Sequence, residues 1–227
     1  MEGSRSAEAP EHGRAPPQAT AALFTPVLPS PRAFLTALFD GCPGTIEIRR
    51  VSDRRGGPRG GASSEWFADA DLVADELPRL RALSERAGQT VSLGILPRQG
   101  VGRGKAADTL PGGAAWVDID FKGVAEAEAR KRIAALSTLT PSAIVSSGHG
   151  LHVYWLLDRP TEPAAISSLC RRLAHHLGAD HCFDASRVLR LPGSLNLKEC
   201  WTDGAYAFDP SKARACALES LYPSRRY

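Results

Sequence analysis

Two aspartates set two residues apart carry the clearest chemical signal in this 227-residue sequence: Asp118 and Asp120 in Trp116-Val117-Asp118-Ile119-Asp120-Phe121. Strand side chains alternate faces, so both carboxylates share one face while Val117, Ile119 and Phe121 take the other. Their Cα atoms then lie about 6.5–7 Å apart. Both can lean toward divalent ions about 3.5–4 Å apart, the spacing of two-metal phosphoryl-transfer sites. A solvated edge strand would also tolerate two aspartates. The apolar flanks instead point to a central strand, where an unneutralised pair of anions is costly. A third acid, Asp184 in Phe183-Asp184-Ala185-Ser186-Arg187, follows a predicted helix and can enter the sheet beside that strand. By itself it would read as a turn or capping aspartate.

Groups suited to anions accompany the acids. In Ser147-Gly148-His149-Gly150-Leu151-His152 the glycines let backbone N–H groups approach an anion, and Ser147 can donate a hydroxyl. His152 starts a return strand and can donate to a triphosphate oxygen. His149 and His152 are three apart, so on a strand they point to opposite faces and chelate poorly. Arg187, Arg190, Asn196 and Lys198 surround the turn Leu191-Pro192-Gly193-Ser194, with no acid between Arg187 and Lys198. That cluster suits nucleotide phosphates or a nucleic-acid backbone, or else forms a solvated basic face. The loop Gly100-Val101-Gly102-Arg103-Gly104-Lys105 lacks the phosphate-loop pattern, since no Ser or Thr follows Gly104-Lys105. It reads as a basic loop able to touch nucleic acid.

Positioning these groups requires an α+β fold. Before residue 113 the pattern predicts a helix over 32–39, strands over 45–51 and 91–96, and a Gly/Arg-rich loop over 53–64. A helix over 69–87 has Leu72, Leu77, Leu80 and Leu83 facing inward, with Pro78 as a candidate kink. After it come strands over 114–121, 143–147 and 151–157. Helices over 125–139 and 162–177, a strand over 205–208 and a helical C-terminal stretch complete the reading. The order β-α-β-β-α-β implies an RNA-recognition-like (RRM-like) four-stranded sheet backed by two helices. The expected organisation is a disordered lead over 1–20, a smaller N-terminal α/β module over 21–113 and a catalytic module over 114–227. The active site would lie in the cleft between the modules.

Composition agrees with an ordinary globular chain: 43% hydrophobic, 23% charged, net charge +3. A charge this small permits phosphate or nucleic-acid binding without requiring it. No run of about 18 apolar residues is present and the first twenty residues have no apolar core, so neither a membrane span nor a secretory signal is expected. Five cysteines at irregular spacing suit a reducing, cytoplasmic setting. With His175, His176 and His181 they make no diagnostic zinc pattern.

Taken in order, Leu96-Pro97-Arg98, the Asp118/Asp120 strand, Ser147-Gly-His-Gly-Leu-His152-Val-Tyr-Trp and Phe-Asp184-Ala-Ser-Arg-Val-Leu-Arg190-Leu-Pro-Gly-Ser-Leu-Asn196-Leu-Lys198 resemble the archaeo-eukaryotic primase superfamily. The resembling branch is the RepB-like primase-polymerases, and the resemblance covers about residues 45–208. It implies a DNA primase or polymerase that makes or extends primers from NTPs or dNTPs. Asp118, Asp120 and Asp184 would hold two Mg²⁺ or Mn²⁺ ions. Ser147 and His152, in the Gly148-His149 hairpin, would grip the triphosphate. Arg187, Arg190, Asn196 and Lys198 would form the basic turn, and Arg98 matches a recurrent arginine before the acidic strand. Implied partners are single-stranded DNA template and primer, and a separate replicative helicase. Two other readings of the same elements are a rolling-circle nickase and a catalytically silent replication-initiator DNA-binding module.

Overall fold

Ser30 accepts the backbone N–H of Ala33 at 3.1 Å and Pro31 takes the first helical position, which starts α1 (Pro31–Phe39). The computed structural model describes residues 30–52, 62–202 and 207–227. The expected lead at 1–20 and residues 53–61 of the expected Gly/Arg-rich loop lie outside them. Strand β1 (Ile46–Ser52) pairs with β2 (Ser63–Phe67), a strand the sequence pattern did not predict because Ser63 and Ser64 resemble loop residues. Asp69 caps α2 (Ala70–Ala87), and Gly88 ends it at φ 59°. The helix continues through Pro78. Leu80 is buried as expected, but Leu72 is 46% exposed and Val73 takes its inward place. Strand β3 (Gln89–Gly94) follows on the other edge of β1.

The second half runs β4 (Gly112–Asp120), α3 (Glu126–Ala134), β5 (Ala143–Ser146), β6 (Gly150–Thr161) and α4 (Pro163–Leu177). Val117 and Ile119 of β4 pack with Leu151, Val153 and Trp155 of β6 against Ala129, Ile133, Ala174 and Leu177 of the two helices. The alternation expected for the acidic strand is therefore present and turns Asp118 and Asp120 away from the helices. Strand β4 is nevertheless an edge strand of its sheet, not the expected central one; its apolar side chains are buried by the helices and not by a second flanking strand. Helix α3 stops at Ala134, five residues short of the expected Leu139.

The strand after α4, β7 (Val188–Arg190), departs from expectation. It pairs with β3, giving an antiparallel sheet β2-β1-β3-β7, and so carries chain from beyond residue 113 into the first sheet. Short strands β8 (Leu195–Asn196), β9 (Trp201–Thr202), β10 (Ala207–Phe208) and β11 (Arg214–Ala215) follow. The expected C-terminal helix is instead β12 (Ala217–Leu221), which lies beside β5. The second sheet is thus β12-β5-β6-β4, four strands backed by two helices, with its fourth strand drawn from the C-terminus. Helix formers such as Ala217, Leu218 and Glu219 yield to an open sheet edge because pairing and burial of Leu221 outweigh weak intrinsic propensity.

One close approach sets the register of the acidic strand. A Cβ added to Gly150 would lie 2.2 Å from the carbonyl oxygen of Ile119. We expect Gly150→Ala to destabilise the protein by about 1–3 kcal/mol through forced backbone shifts, read as a lower urea midpoint.

Candidate active site

Strands β4 and β6 pair with Asp118 opposite His152, Trp116 opposite Tyr154 and Asp120 opposite Gly150. Directly opposed residues project from the same face, so Asp118, Asp120, His152 and Tyr154 share one surface. Asp118 Oδ1 lies 3.7 Å from His152 Nε2. His152 is fully buried, and neither of its ring nitrogens has a hydrogen-bond partner; the buried Tyr154 hydroxyl lacks one too. Burial pulls the His152 pKa down to about 4, with Asp118 opposing and Arg190 reinforcing the shift. Burial first, then Asp118 and Cys216, raises Tyr154 well above its ordinary value. At neutral pH a neutral imidazole therefore faces the Asp118 carboxylate. Among the described residues no lysine or arginine pairs with Asp118 or Asp120; Asp120 Oδ1 accepts only the backbone N–H of Lys122, at 2.9 Å.

The loop after α4 is tied to this strand by three bonds, one of them the weak donation of the Cys182 thiol to Asp118 Oδ2 at 3.8 Å. Trp116 Nε1 donates to the carbonyl of Cys182 at 2.7 Å, and Asp180 N donates to the carbonyl of Asp118 at 2.8 Å. Asp180 consequently sits beside the acidic pair. Its pKa is raised by desolvation and then by Asp118 and Asp120. Asp184 is placed differently: its half-exposed carboxylate accepts from Arg187 Nη2 and from Ser186 Oγ. Oxygen donors without an internal cation suit a hard divalent ion, so Asp118 and Asp120 fit one in kind. The described residues hold no group of three or more His, Cys, Asp or Glu side chains able to grip a metal as they stand.

The remaining expected residues divide between the site and its scaffold. Ser147 is buried, and its carbonyl accepts from Asn196 Nδ2 at 2.8 Å; Asn196 Oδ1 accepts from the backbone of Lys198 at 3.1 Å. Asn196 thus joins the hairpin to the basic turn. Gly148 forms that hairpin at φ 88°, and His149 Nε2 lies 3.7 Å from Glu199. Arg187 and Arg190 are half-buried, and the Nε of each is buried without a hydrogen-bond partner.

Arg98 requires a correction. Its side chain is buried and, unlike the unpartnered ring of His152, has every nitrogen engaged within the protein. Its Nε donates to Glu47 Oε2 at 3.0 Å, Nη1 to the Ala185 carbonyl at 3.4 Å and Nη2 to the Ser186 carbonyl at 3.2 Å. Arg98 therefore positions the segment that bears Asp184 and Arg187. Three other residues of interest escaped the sequence pattern. Glu47 looked like an ordinary polar strand position. Asp180 was overshadowed by the motif around Asp184, although its place just past the Gly178 cap was a usable signal. Arg214 has no local signature at all.

No family model matches the sequence, and no curated protein matches it. Solved structures do match. The crystal structure of primase RepB′ aligns with a TM-score of 0.59 at 15% identity over 87% of this chain, which spans 58% of that one. The catalytic domain of primase RepB′ in complex with initiator DNA aligns at 0.56 and 16% identity, over 86% of this chain and 87% of that domain. The AEP domain of the cyanophage S-2L primase-polymerase aligns at 0.45 and 19% identity, over 74% and 86%. The fold is thus similar to that of the RepB′ catalytic domain, the kind of structure the resemblance in the motifs implied.

Two outcomes follow from this geometry. Glu47→Ala leaves Arg98 as an uncompensated buried charge and should cost about 3–5 kcal/mol in chemical denaturation. In the metal-free protein, unfolded His152 takes up a proton near pH 6.5, whereas the folded residue does so near 4. The corresponding stability is complete above pH 6.5 and is lost as pH falls toward 4, by up to about 3 kcal/mol. Denaturation of wild type and His152→Leu across pH 4–7 reads this difference; equal pH slopes would contradict it.

Proposed function

We propose that the chain is a template-directed nucleotidyltransferase of the primase or primase-polymerase type, extending or starting primers from NTPs or dNTPs on single-stranded DNA. The observation that carries this reading is the face shared by β4 and β6. It presents two carboxylates without a cation beside a fully buried histidine whose nitrogens lack partners. An unpaired buried polar group costs about 1–3 kcal/mol, and a ligand with phosphate oxygens and divalent ions would satisfy both features at once. The likeness to the RepB′ domain, which was solved with initiator DNA, supports a nucleic-acid substrate.

Asp118 and Asp120 would hold Mg²⁺ or Mn²⁺, with Asp180 as the third acid. Ions held there would supply positive charge to the attacking 3′-hydroxyl and the leaving pyrophosphate. His152, neutral at working pH, donates one ring N–H to a triphosphate oxygen. Arg187 and Arg190, whose Nε–H groups lack partners, would donate to the same charge. Asp184 orients Arg187, and Arg98 and Glu47 hold that segment in place. The substrate would lie between the two sheets, with 21–113 as the supporting module, 114–227 as the catalytic one, and a helicase acting as a separate protein.

The decisive experiment incubates the protein with single-stranded DNA, labelled nucleotides and Mn²⁺, with and without a primer. Wild type should yield elongated product. Asp118→Ala should lower synthesis by roughly a thousandfold, about 4 kcal/mol of barrier, with an unchanged circular-dichroism spectrum. Asp180→Asn should fall as far, and Asp184→Asn less far, because Asp184 acts through Arg187. The opposite ranking would return the third-acid role to Asp184. DNA binding without any incorporation by wild type would leave a binding module.

A further inference from the structure

Beyond the acids, cationic side chains gather around the hairpin tip at Gly148 and His149, and one of them comes from a part of the chain that the motifs do not reach. Strand β11 pairs with β8, placing Arg214 opposite Asn196, the residue whose amide holds the Ser147 carbonyl. A Cβ added to Gly148 would lie 2.8 Å from Arg214 Cβ. The Arg214 backbone therefore lies directly against the tip.

The electrostatics agree with that placement. The His149 pKa is lowered by burial and further by Arg214, Arg190 and Lys198, with Glu199 opposing. Arg190 acts on His152 as well. Positive charge thus runs from Arg190, beside the neutral and buried His152, to Arg214 at the surface. Arg190 Nε and His149 Nε2 are buried without hydrogen-bond partners, and among the described residues the Arg214 side chain has no hydrogen-bond or ion-pair partner. Three cations against one carboxylate leave an excess of positive charge. Arginine forks are suited to phosphate oxygens.

We infer that Arg214 is a further phosphate-contacting residue, at the outer end of a cationic track that takes the polyphosphate of a nucleotide. A triphosphate carries enough charge and length to engage more than one member of the track, whereas a monophosphate does not. The assignment deepens the proposed function and relies on it for the nucleotide.

The test is calorimetric binding of ATP, inorganic tripolyphosphate, AMP and a thymidine oligonucleotide to the full chain in Mg²⁺, with no other DNA present. Arg214→Ala should weaken ATP and tripolyphosphate about tenfold, leave AMP and the oligonucleotide unchanged, and unfold at the wild-type temperature because the side chain is exposed. Arg214→Lys should recover part of the loss. Equal ATP affinity in wild type and Arg214→Ala would overturn the inference. So would a loss confined to the oligonucleotide, or a wild type that binds neither ATP nor tripolyphosphate. Binding of both by wild type, lost in Arg214→Ala but without nucleotide incorporation, would uphold the inference and overturn the proposed function instead.

Discussion

The buried ion pair between Arg98 and Glu47 is the interaction on which the arrangement of the site depends. Removing a guanidinium and a carboxylate from water costs several kcal/mol per ion unless each remaining donor and acceptor finds a partner. Here they do. Arg98 donates to Glu47 and to the carbonyls of Ala185 and Ser186, while Glu47 also accepts from Arg49 and Ser64. Burial pulls the Arg98 pKa down, and Glu47 acts against that pull. The pair joins β1, the loop after β3 and the segment leading into β7. It therefore anchors Asp184 and Arg187 beside the first sheet, which the chain then enters as β7, with Arg190 paired opposite Ser92 of β3.

The opposite wall follows a different logic. On the face of β4 and β6, polar groups are left incomplete instead of satisfied. Among the described residues Asp118 and Asp120 have no cation, the His152 ring and the Tyr154 hydroxyl have no hydrogen-bond partners, and the nearby Arg187 and Arg190 each retain a free Nε–H. Groups of this kind reduce stability in the free protein, which is tolerable because the other face of the same sheet is a dry cluster of Val117, Ile119, Leu151, Val153 and Trp155. One rigid apolar face supports one unsatisfied polar face, and that asymmetry is what a preorganised charge-binding site requires.

Two short bonds make the geometry of the acids possible. The indole of Trp116 holds the carbonyl of Cys182, and the backbone of Asp180 meets the carbonyl of Asp118. The loop after α4 is thereby laid beside β4, on the side away from β6. Asp180 comes next to the pair, and Asp184, four residues on, turns to Arg187.

Much of this was legible in the chain alone. Alternation placed Asp118 and Asp120 on one face, because a strand has a period of two and Val117 and Ile119 must be buried. The hairpin at Gly148-His149-Gly150 and the helix ending at Gly178 were legible for a similar reason: glycine at positive φ is a local requirement. What local pattern could not decide was which partner each group would find. Arg98 reads as a free cation until Glu47, 51 residues away, is brought beside it. Strand β7 leaves the sheet of its neighbours, β12 becomes a strand despite helix-forming residues, and Asp180 and Arg214 reach the site only through pairings distant in sequence. Those outcomes were set by tertiary structure, because burial and pairing energies depend on neighbours that the linear order does not specify.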